Sequence, residues 1–164
     1  MVRAVSTLRR LSLTTLLASC LGGCLPYSQN EGVYELIPTE TLRDDCNLLE
    51  KVQGNLQLSL QISGRVVRAD FGVQNMQLDG YFLEDGEAFT ADGSVTNVST
   101  TVDGATECLL DQVRVHLDAT TRCDTEFQGQ LRLAYDANNN TACTCELWLR
   151  FDGVQGNTRC EGNP

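Results

Sequence analysis

The sequence has only one lysine, Lys51, and only one histidine, His116. Its twelve lysine and arginine residues stand against 22 aspartate and glutamate residues, which gives a net charge of −10 at pH 7. A chain this acidic is repelled by phosphate backbones and by anionic lipid headgroups. We therefore expect no nucleic-acid partner, whereas cations and basic protein surfaces are compatible with the charge.

The sequence also lacks a long apolar run and a hydrolase motif. A transmembrane helix needs about 20 consecutive apolar residues, and the apolar stretch Leu11–Ala18 is far shorter. Serine hydrolases commonly carry their nucleophile in a G-x-S-x-G turn, and this pattern does not occur here. With a single histidine as a candidate base, we expect that the protein is not an enzyme.

Cysteine is abundant, but its spacing is not that of a metal site. Zinc sites use pairs such as C-x₂-C together with a second pair or with histidines. After residue 24, the only close pair is Cys143 and Cys145, which are separated by one residue. Eight cysteines in 164 residues are too many for a typical cytosolic protein. We therefore predict disulfides in an oxidising compartment, and neither a metal nor another cofactor.

The first 24 residues have the order of an export signal. A basic leader without acidic residues, Met1–Arg10, precedes the apolar stretch Leu11–Ala18. Two short sequences that end in cysteine follow, LASC at Leu17–Cys20 and LGGC at Leu21–Cys24. Each resembles the lipobox of bacterial lipoproteins. The resemblance implies cleavage by signal peptidase II before a cysteine whose sulfur carries a diacylglycerol.

The number of cysteines favours Cys24 over Cys20 as the lipid attachment site. Cleavage before Cys24 leaves six other cysteines, enough for three disulfides, whereas cleavage before Cys20 leaves one thiol over. Cys20 stays open as the alternative. The predicted organisation is a signal peptide over residues 1–23, a lipidated tether over 24–32 and a β domain over 33–164.

The resemblance to lipoproteins also implies a location. In diderm bacteria, lipoproteins without an aspartate directly after the lipidated cysteine generally reach the outer membrane, and Leu25 follows Cys24. We therefore expect a cell-envelope protein, held by its lipid anchor at the outer membrane. Loss of three leader arginines leaves nine basic against 22 acidic residues, so the mature chain is more acidic still.

After residue 32, apolar and polar residues alternate with a period of two. The alternation is strict over Asn55–Ile62 and is typical of a half-buried strand. Polar turns such as Ser63-Gly64 favour antiparallel neighbours. We predict an all-β antiparallel meander of seven or eight strands, closed into a small barrel or folded as a sandwich. Over Thr39–Glu50 a loop and a helical turn capped by Thr39 or Thr41 are equally compatible with the sequence. Further strands are expected at 33–37, 67–73, 76–83, 88–98, 113–118, 130–135 and 143–151.

The register of the last predicted hairpin suggests one disulfide. If the two strands turn around Asn138-Asn139, Cys123 lies opposite the segment after Phe151. Cys123 is then near Cys160, and we expect these two to bond and hold the C-terminal tail.

In the same register, Cys108 is expected to lie toward the end of the domain that contains Cys143 and Cys145. Cys143 and Cys145 project from the same face of one strand, and such neighbours rarely bond each other. We therefore expect one of them to bond Cys108 and the other to bond Cys46. Each such long loop closure contributes roughly 3–4 kcal/mol to stability.

Two single residues are candidates for a functional surface. His116 lies on the polar face of its strand with Arg114 and Asp118, which favours an exposed strand histidine over a catalytic one. Trp148 is also in the polar phase, opposite Leu147. It either marks a contact surface or is covered by the tether or another strand.

One polar segment has part of a calcium-loop pattern. Asp136, Asn138 and Asn140 occupy its first, third and fifth positions, but Thr141 stands where glycine is needed and Leu147 where an acid is needed. We interpret the segment as the polar tip of a hairpin.

For function, the sequence favours a non-enzymatic binding or structural module of the cell envelope. Its partner would be an envelope protein or a cell-wall component, and the membrane would hold it through the lipid. The alternative is a lipocalin-like carrier of a small apolar ligand, although the inward Leu, Val and Phe residues are dense enough to fill a barrel. A carboxylate hydrolase has the least support, because no pair of acids stands out.

Overall fold

The computed structural model describes residues 29–102, 106–156 and 159–160. They form a closed antiparallel barrel in which all eight strands pair in chain order. The signal peptide at 1–23 and the candidate lipid sites Cys20 and Cys24 lie outside the described residues. The strands are β1 Gly32–Asp44, β2 Gln57–Ser63, β3 Val66–Phe71, β4 Met76–Phe82, β5 Ala88–Val102, β6 Thr106–Cys123, β7 Glu126–Asp136 and β8 Cys145–Gln155.

This architecture confirms the predicted all-β antiparallel meander and selects the barrel over the sandwich. The barrel closes because β1 pairs with β8, with Tyr34 opposite Gln155 and Leu36 opposite Gly153. The alternation seen in the sequence becomes alternation of burial, for example in β3, where every second residue is buried. One face of each strand therefore fills the barrel and the other faces outward.

The barrel has two distinct ends. We call the lower end the one that contains the start of β1 and the turns β2–β3, β4–β5 and β6–β7. Aromatic rings fill it, with centroids 4.9 Å apart for Tyr34 and Phe127, 5.4 Å for Phe89 and Phe127, and 5.2 Å for Phe82 and Phe89. Tilted and edge-to-face pairs of this kind stabilise a core beyond the area they bury.

The opposite, upper end is covered by the connection between β1 and β2. This connection contains the short helix α1 (Leu48–Val52), whose Leu48 and Val52 are buried in the same core as the barrel interior. Leu56, Val73 and Met76 complete that layer. Buried side chains therefore form one continuous core that runs from the lower end to the upper end of the barrel.

The segment Thr39–Glu50 differs from the sequence expectation. Strand β1 continues to Asp44 because it pairs with β8, across two register shifts, as far as Leu147. Thr39 and Thr41 thus lie in the strand and do not cap a helix. The helical turn begins later, and the Asp44 carboxylate accepts hydrogen bonds from the backbone N–H groups of Leu48 and Leu49, at 2.6 and 3.4 Å.

Three disulfides join the six cysteines of the domain. Cys123 bonds Cys160, and the two cysteines near the start of β8 bond partners from different elements, as expected from the strand register. The pairs are Cys46–Cys145, Cys108–Cys143 and Cys123–Cys160, with Cα–Cα distances of 6.0, 5.8 and 6.0 Å. The first two lie at the upper end, and the third holds the C-terminal segment to the β6–β7 turn.

The described chain begins folded against the barrel. Gln29 Nε2 donates to the hydroxyl of Tyr34 at 2.6 Å, and the backbone N–H of Asn30 donates to the carbonyl of Asp124 at 2.8 Å. Gln29 and Asn30, which the sequence places in the tether, are thus fixed at the lower end. Among the described helices, none has the length and apolarity required to cross a membrane.

Candidate functional site

A broad depression lies on the outside of the barrel. We call it the outer groove; its volume is about 850 Å³. It crosses five neighbouring strands, so its polar lining consists of the outward residues of β4 to β8. The lining side chains central to the site are Gln77, Asp79, Asp92, Ser94, Gln112, Arg114, His116, Arg132, Glu146 and Trp148.

The groove forms where β5 separates from β4. The two strands pair from Phe82 and Phe89 up to Asp79 and Asp92, after which β5 continues only with β6. Gly93 follows at this point. A Cβ atom there would lie 2.5 Å from the carbonyl oxygen of Gln77, so the strands approach more closely than any side chain would allow. Gly93 is therefore a close-approach glycine, and its pairing with β6 shows no bulge.

His116 lies between two carboxylates in the groove. Its Nδ1 is 2.6 Å from Oδ1 of Asp92 on β5, and its Nε2 is 3.0 Å from Oδ2 of Asp118 on its own strand. The pairing of β5 with β6 explains the first contact, because Asp92 lies directly opposite His116. The second contact arises because Asp118 is two residues after His116 on the same face of β6. The side chain of His116 is 38% exposed, as expected for an outward strand histidine.

The two aspartates change the chemistry of the imidazole. Partial burial lowers its pKa, but the hydrogen bonds to Asp92 and Asp118 and their negative charges outweigh burial, so the pKa of His116 is raised. In the protonated ring both nitrogens donate, one to each carboxylate. In that protonated form, no ring nitrogen is free to accept a proton from a substrate.

Trp148 is half-buried beside His116 in the same groove. It pairs with Arg132 on β7 and with Arg43 on β1. The guanidinium carbon of Arg132 lies 4.8 Å from the centre of the indole ring, and that of Arg43 lies 5.9 Å away. These are cation–π distances. The structure therefore places Trp148 within a surface depression, flanked by cations from two strands.

Ion pairs hold several of the charged side chains in and around the groove. Arg114 bonds Asp136 at 2.8 Å, and Arg43 pairs with both Glu146 and Asp45. Among the described residues, the only contact found for the Arg132 guanidinium is its stacking on Trp148. Arg132 is thus a cation whose hydrogen-bond donors remain accessible to a ligand.

The calcium-like segment has other contacts. The carboxylate of Asp136 is paired with Arg114, the side chain of Asn140 accepts from the backbone of Ala142, and the backbone N–H of Asn138 donates to Asp111. These contacts hold the tip of the β7–β8 hairpin in place.

A second cluster at the lower end has the residue types of a metal site but not their chemistry. Potential ligand atoms of Cys123, Glu126 and Cys160 lie within 4.8 Å of one another. The two sulfurs are bonded to each other, whereas metal binding needs thiolates. The buried carboxylate of Glu126 instead accepts from the backbone N–H of Cys160 and from Arg122, both at 3.1 Å.

The sequence indicated Trp148 and the polar face of β6 as separate features, but it did not indicate that both line the same groove. Asp92 and Arg132 join the site through strand register, and no local pattern marks them. Comparison of the chain with protein-family models, with curated proteins and with solved structures finds no match.

Proposed function

We propose that this chain is a bacterial lipoprotein of the cell envelope, anchored through Cys24, whose barrel is a non-enzymatic binding module. The outer groove is its binding surface. The observation that carries the binding role is the contrast between a barrel interior filled with side chains and an outer depression that contains Trp148 and the stacked Arg132.

Sequence and structure support the anchor in different ways. The leader and the two lipoboxes resemble those of lipoproteins. Cleavage before Cys24 would leave six other cysteines, and these six form the three disulfides of the structure. Disulfides persist in oxidising compartments outside the cytoplasm. The proposed location is the outer membrane, because Leu25 and not aspartate follows Cys24.

The lining of the groove indicates the chemistry of its ligand. Asp79, Asp92 and Glu146 contribute negative charge, while Arg114 and Arg132 contribute positive charge. A groove with both signs and an aromatic ring suits an extended polar partner, such as a protein segment or a cell-wall component, better than a small apolar molecule. Aromatic and arginine residues are also the types that carry most binding energy at interfaces.

The alternative is a lipocalin-like carrier, and the closed eight-stranded meander is compatible with that shape. A carrier holds its ligand inside the barrel. Here fully buried residues such as Leu58, Phe71, Leu131 and Leu149 occupy that space, so the filled interior favours the outer groove.

A photocrosslinking pair tests the groove in native membranes. The photoreactive p-benzoylphenylalanine replaces Gln77, which lines the groove, or Gln61, an exposed glutamine of β2 away from it. We expect an adduct from position 77 and none from position 61. A second change, Trp148→Ala, should abolish the adduct at 77. Equal adducts at both positions, or an adduct at 77 that Trp148→Ala leaves intact, would contradict the proposal.

A further inference from the structure

The lower end of the barrel carries an exposed apolar surface, which we call the lower patch. It consists of Val66, Tyr81 and Leu83, which are 47%, 54% and 41% exposed. Val66 and Tyr81 are direct cross-strand partners, and Leu83 follows Tyr81 on the same side. The three residues are therefore neighbours at the rim and not scattered surface residues.

The chain that leads to the proposed anchor reaches the barrel at the same end. Gly32, at the start of β1, pairs with Leu60, which is three residues before Ser63, the register partner of Val66. The side-chain carboxylate of Glu31 accepts a hydrogen bond of 2.6 Å from the backbone N–H of Ile62, which places residue 31 at the same end. Gln29 and Asn30 are then fixed at the lower end by their bonds to Asp124.

We propose that the lower patch docks on the lipid surface to which the protein is anchored, with Tyr81 at the level of the headgroups. This inference rests on the proposed lipidation of Cys24. Cys24 and Gln29 are only five positions apart in the sequence, and even a fully extended segment of that length reaches only roughly 17 Å. The lower end therefore stays close to the bilayer.

A small patch suffices because the tether supplies most of the association. A short linker gives its two ends an effective concentration in about the millimolar range, so that a contact of millimolar affinity is already occupied. Tyrosine is a residue type that concentrates at membrane interfaces, since its ring is apolar and its hydroxyl is hydrated. Val66 and Leu83 add apolar area on either side of it.

Charge next to the lower patch determines which lipids it accepts. The β4–β5 turn carries Glu84, Asp85 and Glu87, and an anionic surface repels them. Arg65 is the neighbouring cation, and its guanidinium donates to the carbonyl of Phe82 at 3.0 Å. The lower end thus fits a zwitterionic surface, such as one rich in phosphatidylethanolamine.

Docking also orients the binding module. The upper end, with α1 and two of the disulfides, points away from the membrane, and the outer groove on the side of the barrel stays open to partners. Leu109 is 72% exposed on β6 near the tip of the long β5–β6 hairpin, at the upper end. It provides a matched apolar position for comparison.

Photocrosslinking to lipid tests the orientation on the full chain in its native membranes. We place p-benzoylphenylalanine at position 81 or at position 109, irradiate, and measure by mass spectrometry both phospholipid adducts and acylation of Cys24. We expect an acylated chain in both cases, with phospholipid adducts when the photoreactive residue is at position 81 and none when it is at position 109. An acylated chain with no adduct at 81, or with equal adducts at both positions, would overturn the docking while leaving the anchor intact.

An unacylated chain would overturn the anchor and the docking together, so the two failures are distinguishable. A second measurement tests the patch itself. The paired change Val66→Asp and Leu83→Asp removes two exposed apolar side chains that would contact the lipid, and it should reduce the adduct at 81 by about tenfold. Leu109→Asp should leave it unchanged. An undiminished adduct in the paired variant would contradict a role for the patch.

Discussion

At the scale of single residues, His116 is the most specific probe of the outer groove. Its two hydrogen bonds to Asp92 and Asp118 hold the imidazolium in place and raise its pKa. Since it is the only histidine in the sequence, its ring protons can be followed by NMR without assignment of others.

We predict that His116 titrates above its usual value of 6.5. Asp92→Asn and Asp118→Asn should each lower this pKa, because each removes a negative charge that stabilises the protonated ring. An NMR titration of the three proteins measures the effect directly. A pKa at or below 6.5 in the unmodified protein would contradict the arrangement.

The same shift predicts how stability depends on pH. A group with a raised pKa in the folded state stabilises the fold below its unfolded pKa of about 6.5, and this contribution is lost as the pH rises through the folded pKa. Because His116 is more than a third exposed, solvent screening limits the contribution to less than about 1 kcal/mol. Urea unfolding of the parent and of His116→Gln between pH 6 and 9 measures it, and the variant should lack this pH dependence.

Gly93 is a second test at this scale. Gly93→Ala places a Cβ 2.5 Å from the carbonyl oxygen of Gln77 and from a methyl carbon of Leu78. Such overpacking should lower the free energy of unfolding by about 1–3 kcal/mol. Gly54→Ala is the matched control, because nothing lies within 4 Å of its added carbon. Equal stability of the two variants would show that β4 and β5 are not so close.

At the scale of elements, the C-terminal segment is held at the lower end by one disulfide and one buried carboxylate. Glu126 is 3% exposed. Its pKa is lowered by the hydrogen bond from the backbone N–H of Cys160, which outweighs burial, and by Arg122. A lowered pKa means that the ionised carboxylate stabilises the fold at neutral pH and that this contribution is lost as the pH falls.

We predict that Glu126→Gln lowers the free energy of unfolding at pH 7 by about 1.5–3 kcal/mol, the usual value for a hydrogen bond to a charged group. The difference between parent and variant should shrink as the pH is lowered below 4. Denaturant titrations at several pH values measure it. Glu35→Gln, at an exposed position of β1, is the control and should change stability little.

The disulfide at the end of the β5–β6 hairpin provides another prediction for an element. Cys108 and Cys143 are 35 residues apart in sequence and both are buried. Replacing both by alanine removes the constraint on the unfolded chain and should cost about 3–4 kcal/mol. The variant should still fold as a barrel, because every strand ladder remains. Loss of the β circular-dichroism spectrum would contradict that expectation, and thermal unfolding gives the size of the effect.

At the scale of the whole molecule, the strands were predictable because their pattern is local. The alternation over Asn55–Ile62 appears in the sequence whatever its neighbours are. Barrel closure was not fixed by such a pattern, since it depends on the pairing of Tyr34 with Gln155, 121 residues later in the chain. A sandwich would have satisfied the same alternation.

The groove was predictable only in part, for the same reason. Trp148 is conspicuous as a single tryptophan in the polar phase of its strand. That Asp92 bonds His116 and that Arg132 stacks on Trp148 follows from the registers of three strand pairs. The position of the groove also depends on where the pairing of β4 with β5 ends, which no local sequence pattern fixes.

The central claim is that a three-disulfide barrel is carried on a lipidated cysteine. Mass spectrometry of the protein gently extracted from its own membranes, before and after reduction, tests it most directly. We predict an N-terminus at Cys24 that carries acyl chains, and a gain of about 6 Da on reduction under denaturing conditions, two hydrogens for each of three disulfides. We also predict no retained small molecule. An unacylated N-terminus would contradict the anchor, free thiols before reduction would contradict the disulfide framework, and a retained apolar ligand would make the barrel a carrier.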